Sequence, residues 1–385
     1  MTFSYRIGEY TMNFSRILFI IFALFAVAGG VDYIISNRFG LGKAFERGIT
    51  TMGPLALTLT GMMVLAPLLA DLLSPVILPL FNLMGVDPAM FAGSLLACDM
   101  GGAPLADRLA LDPEGALLGG MVCSSLLGVT VTFTIPVSMG MLRSEDRPYA
   151  AKGILCGIIT VPLGIFVGGL VAGIAPLKVL LNLLPTLLPA LLIALGLWKC
   201  EGVIIKLFSW FGRIMTAVSV LGLLLALFQK LTGWILIFSL APVEDAILVV
   251  GEIALLLAGA FPMMHLIAKL LNRPLLALGR KLGVNAVSVT GLLTTTVNSI
   301  ATFDTVKDMD PRGKVLNMAF AVSAAFVFGD HLAFAGGWDP EAIPAMMAAK
   351  LTAGVTALAL ALVVTRRLRG EEIPPKEGSQ SPSAS

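Results

Sequence analysis

Long apolar runs broken by short polar interruptions fill most of the chain, and their lengths predict what each can do. A helix needs about 20 apolar residues to cross the hydrocarbon of a bilayer. Runs over 14–35, 50–70, 115–142, 152–175 and 177–198 meet that length, the last despite Pro185 and Pro189. Two others, 72–84 and 89–102, are too short to cross and are joined by Gly85-Val86-Asp87-Pro88. They read as a helical hairpin that dips into the membrane and returns to its own side. Ala26-Val27-Ala28 resembles a signal-peptidase site. The run continues apolar past it and has a later counterpart, so it is taken as a span, with cleavage as the rival reading.

The second half repeats the first. A shift of 198 carries Gly53 onto Gly251, Gly61 onto Gly259, Gly85-Val86 onto Gly283-Val284 and Gly93 onto Gly291. The same shift carries Asp112-Pro113 onto Asp310-Pro311 and Ala150-Ala151-Lys152 onto Ala348-Ala349-Lys350. Phe14-x-Arg16-Ile17 recurs as Phe211-x-Arg213-Ile214, shifted by 197. Leu and Ala matches between apolar segments carry little weight; Gly, Asp-Pro and Lys matches in one register carry more, and duplication of this kind is common in transporters.

Loop charge sets the relation between the copies. In the first, Arg38, Lys43 and Arg47 follow the first span, and Arg143, Arg147 and Lys152 lie between the last two. In the second, the basic residues move to the hairpin base (Lys269, Arg273, Arg280, Lys281) and the next loop (Lys307, Arg312, Lys314). Its other two loops offer only Lys230 and Lys350. By the positive-inside rule, corresponding loops face opposite sides. The expected fold is all-α: a polytopic helical membrane protein with two inverted-topology repeats, each with a broken, re-entrant helical hairpin. The divisions are a lead-in (1–13), repeat 1 (14–175), a connecting helix and loop (176–210), repeat 2 (211–365) and a tail (366–385). The tail is rich in Pro, Ser and Glu and is expected to be disordered and cytoplasmic.

Composition agrees: 57% of the residues are apolar and 13% charged, against about 25% charged in soluble domains. The net charge of +2 carries no basic patch for nucleic acid. Four isolated cysteines and two histidines make neither a disulfide framework nor a zinc site, and no cofactor or metal is expected.

Chemistry is expected where charge meets a break. Asp99 ends an apolar run just before Gly101, Gly102 and Pro104, a sequence that a helix does not easily run through. A carboxylate at mid-membrane costs about 2.5–3.5 kcal/mol, so it needs a partner or a task. Beside carbonyls freed at a helix end it would suit a small ammonium compound; the plainer reading is a cap or a pair with Arg108. The second copy places Asn298 beside the equivalent position, with Thr294, Thr295, Thr296 and Ser299 able to hold a hydroxyl or simply to bond between helices. Asp330 and His331 lie deep in the run 313–337, with Thr132 and Phe133 as repeat partners. They can bind a cation or relay a proton, against a structural ion pair with a lysine such as Lys350. Substrate-binding candidates are therefore Asp99, Asn298, Asp330, His331, Thr132, Thr295, Thr296 and Ser299. Asp32 reads as interfacial, and Glu252 and His265 as structural.

FAGSLLACDMGG (91–102) and DPRGKVLNMAFAVSAAFVFGDHLAFAGG (310–337) resemble the bacterial ethanolamine utilisation permease family, the EutH type, and the resemblance runs over nearly the whole chain. It implies a multi-pass transporter of the bacterial inner membrane that imports ethanolamine for catabolism; no residue roles transfer from it. Ethanolamine, mostly a cation at neutral pH and carrying one hydroxyl, suits an acidic centre near Ser, Thr and Asn. The membrane potential would draw it inward by about 2.3 kcal/mol per 100 mV. The expected partners are ethanolamine and the lipid bilayer, with self-association a further option and no nucleic acid. Two other classes compete. An ion-coupled carrier for another small amine or amino acid would use the same architecture, although no arginine pair for a substrate carboxylate sits at the breaks. In an intramembrane aspartic protease Asp99 and Asp330 would form the dyad, but Val327-Phe328-Gly329-Asp330 lacks the first Gly of that class's Gly-x-Gly-Asp.

Overall fold

A computed structural model describes residues 13–368, and every regular element among them is helical. Residues 1–12 of the expected lead-in and 369–385 of the expected tail lie outside the described residues. The first copy comprises α1 (Phe14–Ile34), α2 (Leu41–Met84), α3 (Ala89–Leu95), α4 (Gly102–Leu109), α5 (Pro113–Met141) and α6 (Arg147–Val171). A connecting helix, α7 (Pro176–Lys199), follows. The second comprises α8 (Glu201–Thr232), α9 (Val243–Leu282), α10 (Ala286–Val297), α11 (Ser299–Thr305), α12 (Pro311–Ala324), α13 (Asp330–Trp338) and α14 (Ile343–Val364). Among the described residues, eight helices are long and apolar enough to cross a membrane.

The order α1 to α6 thus recurs as α8 to α14, with α5 matched by α12 and α13. Local chemistry recurs with it. α2 and α9 both end on a left-handed glycine, Gly85 (φ 66°) and Gly283 (φ 69°). In each, the next residue reaches back to an orphan carbonyl: Val86 N–H donates to Phe81 and Val284 N–H to Gly279. Packing is reciprocal. Gly61 of α2 lies directly against the Ser219 backbone of α8, and Gly259 of α9 lies against the Phe22 backbone of α1. These are the same pair of positions in exchanged copies. Each copy lays its second helix on the first helix of the other, so neither encloses its core alone.

Two expectations change. The run 72–84 is the last part of α2, not a separate hairpin arm, because Pro67, Pro75 and Pro79 leave that helix continuous until Gly85 ends it. At 44 residues α2 is ~66 Å long, about twice the hydrocarbon thickness. Lys43 and Arg47 sit on its amphipathic first turns, and Lys269, Arg273, Arg280 and Lys281 on the end of α9, not in loops. Asp32, near the end of α1, is enclosed by the residues that follow the helix, and the Phe39 and Gly42 N–H groups donate to its carboxylate at 3.0 and 2.9 Å.

Polar ties fix the remaining elements. Lys178 of α7 donates to Asp112 (2.7 Å) and Glu114 (2.8 Å) at the start of α5, and its hydrogen bond holds the Asp112 carboxyl below the usual range. Lys314 of α12 meets Asp146, just before α6, at 2.5 Å with both side chains buried. The span expected over 313–337 is interrupted at 325–329, which separates α12 from α13. There Phe326 takes a left-handed φ of 62°, a strained choice for an aromatic residue.

Candidate functional site

Three backbone breaks create the site. In the first copy the helix stops at Leu95, and Leu96 and Ala97 turn extended before a single turn, Cys98–Met100, and Gly101 at φ 99°. The break therefore precedes the glycines. Gly101 supplies the left-handed turn, while Gly102 opens α4 where a Cβ would strike the Leu96 and Ala97 carbonyls. Pro104 sits in the first turn of α4, where its missing N–H costs nothing. In the second copy Asn298 is the extended residue between α10 and α11. The third break is 325–329.

Freed backbone groups at these breaks satisfy one another, as membrane depth demands. Phe326 and Phe328 N–H groups donate to the Thr295 and Thr296 carbonyls at 3.1 and 2.8 Å, joining the second and third breaks. Ala97 N–H donates to the Thr132 hydroxyl at 3.3 Å, joining the first break to α5. α5 is itself wound with wide π-type turns over Leu117–Gly128 and Thr130–Thr134, the register at which the second copy breaks. Such turns concentrate at functional positions.

Between these breaks Asp99 lies 3.7 Å from His331, measured from Oδ1 to Nε2. The other ring nitrogen of His331, Nδ1, is 3.1 Å from the Lys350 Nζ, which also donates to the Ser125 carbonyl at 2.6 Å. His331 and Lys350 are 1% and 0% exposed, while the Asp99 side chain retains 17%. Phe326 lies 5.3 Å from the His331 ring and 5.2 Å from Phe133. Asp330 opens α13 within electrostatic range of Asp99 and of Arg47.

The structure thus brings Asp99, His331 and Asp330 together. The neutral candidates are otherwise engaged. Thr132 serves the Ala97 N–H, and Asn298 accepts from Ile300 N–H at 2.9 Å. Thr295 donates to Thr302 at 2.9 Å and Thr296 to its own helix at 2.6 Å. Ser299 is buried with no hydrogen-bond partner for its hydroxyl. Lys350, read from sequence both as a loop charge and as a structural partner of Asp330 and His331, lies against His331 and not in a loop. It is enclosed in α14, whereas its repeat partner Lys152 is exposed on α6.

Cys98, Asp99 and His331 place one ligand atom each within 4.8 Å of one another. A metal-bound histidine normally donates its other ring N–H to an acceptor; here that nitrogen faces an amine with protons to give. The set therefore suits a hydrogen-bonding cation better than a metal.

Two cavities border the broken segments, one at Pro104 of α4 and the other at Val297, the last residue of α10. One, of about 770 Å³, is lined by Met63, Ala66, Pro104, Asp107, Asp245 and Asp339 among others. The other, of about 520 Å³, is lined by Lys43, Arg47, Phe261, Met264, His265 and Val297 among others. The repeat shift relates them: Met63 to Phe261, Ala66 to Met264 and Arg47 to Asp245. They are counterparts of opposite charge. α13 contributes Trp338 to the acidic cavity, and Asp330 at its other end is within electrostatic range of Arg47, which lines the basic one.

The family model for the ethanolamine utilisation protein EutH matches residues 14–364. The chain belongs to the EutH family. It is 47% identical to "Probable ethanolamine permease EutH" of Listeria monocytogenes serotype 1/2a over 93% of this chain and 96% of that protein. It is 39% identical to the Escherichia coli K12 protein of the same name, over 92% and 96%, and 44% identical to "Uncharacterized protein YxeR" of Bacillus subtilis, over 90% and 93%. No solved structure matches. The EutH relatives carry the name of a transporter, and the eight long apolar helices make this chain a multi-pass membrane protein.

Proposed function

We propose that the chain imports ethanolamine across the bacterial inner membrane, binding its ammonium form at Asp99. The observation that carries this reading is a carboxylate held at a helix break, partly accessible and otherwise enclosed, in a chain whose named relatives are ethanolamine permeases. Asp99 receives the ammonium, Asp330 adds negative potential, and His331 orients the carboxylate. The unpartnered Ser299 hydroxyl is the candidate for the substrate hydroxyl. The two copies face opposite sides of the membrane, so their related cavities form the two mouths. The mouth bearing Lys43 and Arg47 is cytoplasmic by the positive-inside rule, and the acidic mouth gathers cations from outside.

Uptake of radiolabelled ethanolamine into proteoliposomes, with unlabelled amines as competitors, tests the substrate. Small hydroxylated primary amines should compete and amino acids should not. Equal competition by amino acids would point instead to a broader amine or amino-acid carrier.

A further inference from the structure

Lys350 is an expensive residue to enclose within a membrane-spanning helix. The repeat places the same residue type at the same register, Lys152, on the exposed face of α6. Lys350 instead points inward and is fully buried, with two neutral partners, the Ser125 carbonyl and His331 Nδ1. No carboxylate touches it. The titratable groups acting on it are His331 on α13 and Cys98 and Asp99 at the first break. Asp330 acts one step further, through Asp99, and Arg47 acts on Asp330. Its charge is therefore balanced by the carboxylate that would receive the substrate, across a single imidazole ring.

We propose that Lys350 is a resident cation that the substrate replaces: when the ammonium settles against Asp99, Lys350 gives up a proton, and uptake exchanges one ammonium for one proton. This rests on the reading that Asp99 receives the ammonium. As an ammonium, Lys350 donates to the Nδ1 lone pair, which leaves the ring proton on Nε2 toward Asp99. A second positive charge beside Asp99 competes for that carboxylate and repels the Lys350 proton. At an effective dielectric of about 20, like charges one ring apart disfavour each other by on the order of tenfold. The proton bookkeeping closes. Nζ passes a proton to Nδ1, Nε2 releases one on the Asp99 side, and the medium accepts it. Lys350 ends as the neutral amine, His331 stays neutral with its tautomer exchanged, and only N–H bonds change. The centre holds the same net charge loaded and empty, so the membrane potential does not pull on the loaded carrier.

The test uses purified, detergent-solubilised full-length protein in weak buffer with a pH-indicator dye, titrated with ethanolamine while binding of the radiolabelled amine is followed. At the pH of greatest release the wild type should release between about half a proton and one proton per ethanolamine bound, about half being what a tenfold coupling alone supplies. Lys350→Met, with melting and size-exclusion profiles matching wild type, should bind without release, and Lys350→Arg, which keeps its charge, should bind weakly and release none. In proteoliposomes, wild-type uptake should ignore an imposed potential. Binding by the wild type with no proton released overturns the proposal, whether or not the variants fold. Release by Lys350→Met equal to wild type overturns it as well. Absence of any ethanolamine binding by the wild type would instead strike the substrate reading, and the exchange with it.

Discussion

Asp99, His331 and Lys350 come from three segments far apart in sequence and meet in one line of 3.7 and 3.1 Å contacts. Asp99 could be found in the sequence because a carboxylate before a glycine pair inside an apolar run has few structural uses. His331 and Asp330 could be found because intramembrane ionisable groups are rare. Lys350 could be found only as a structural partner for Asp330 and His331, and it is His331 that it meets; packing alone shows which face of α14 is enclosed. The hydroxyl candidates misled for a related reason. Ser and Thr at breaks are drawn first to free backbone groups, as Thr132 is to Ala97 N–H. At this scale Gly101 is the sharpest test of the break. Its φ of 99° and its contact with Met62 oppose any side chain. Gly101→Ala should cost about 1–3 kcal/mol and lower the melting temperature in detergent. Adding Met62→Ala should recover the steric part only, and an unchanged melting curve would show that the left-handed turn is not needed.

At the scale of elements, the spans were legible from run length, and the repeat from glycines and Asp-Pro pairs in one register. The third break was not. Residues 325–329, Ala-Phe-Val-Phe-Gly, carry no proline and one glycine, and the helix opens because the second break offers the Thr295 and Thr296 carbonyls to its amides. The continuity of α2 through four prolines, Pro54, Pro67, Pro75 and Pro79, was also hidden, since a proline removes one local bond while neighbouring helices hold the rest. Reciprocal packing predicts that Gly61→Ile and Gly259→Ile should be similarly damaging, each lowering the fraction of monodisperse protein on size exclusion. Tolerance of either one alone would break the equivalence. The buried Lys314–Asp146 pair behaves differently. Lys314→Met alone should cost about 3–5 kcal/mol by stranding Asp146, whereas Lys314→Met with Asp146→Leu should recover most of it, as read by thermal unfolding.

At the scale of the whole molecule, the repeat shift relates an acidic cavity to a basic one, and the proposed inverted arrangement puts them on opposite sides of the membrane. Cysteine introduced at Asp245 should react with a membrane-impermeant maleimide from outside the cell, and cysteine at Lys43 only after permeabilisation. Labelling of both from one side would end the inverted arrangement. Because neutral ethanolamine crosses lipid unaided, a carrier matters most when the neutral form is scarce. Growth on low ethanolamine in acidic medium should depend on the gene, and growth at neutral pH with abundant ethanolamine should not. The account as a whole stands on Asp99 as the ammonium-binding group, and ethanolamine uptake by proteoliposomes containing Asp99→Asn measures that most directly. Loss of a charge-assisted hydrogen bond should cut uptake at limiting substrate by about tenfold or more, with Asp330→Asn less affected; uptake equal to wild type by Asp99→Asn would contradict it.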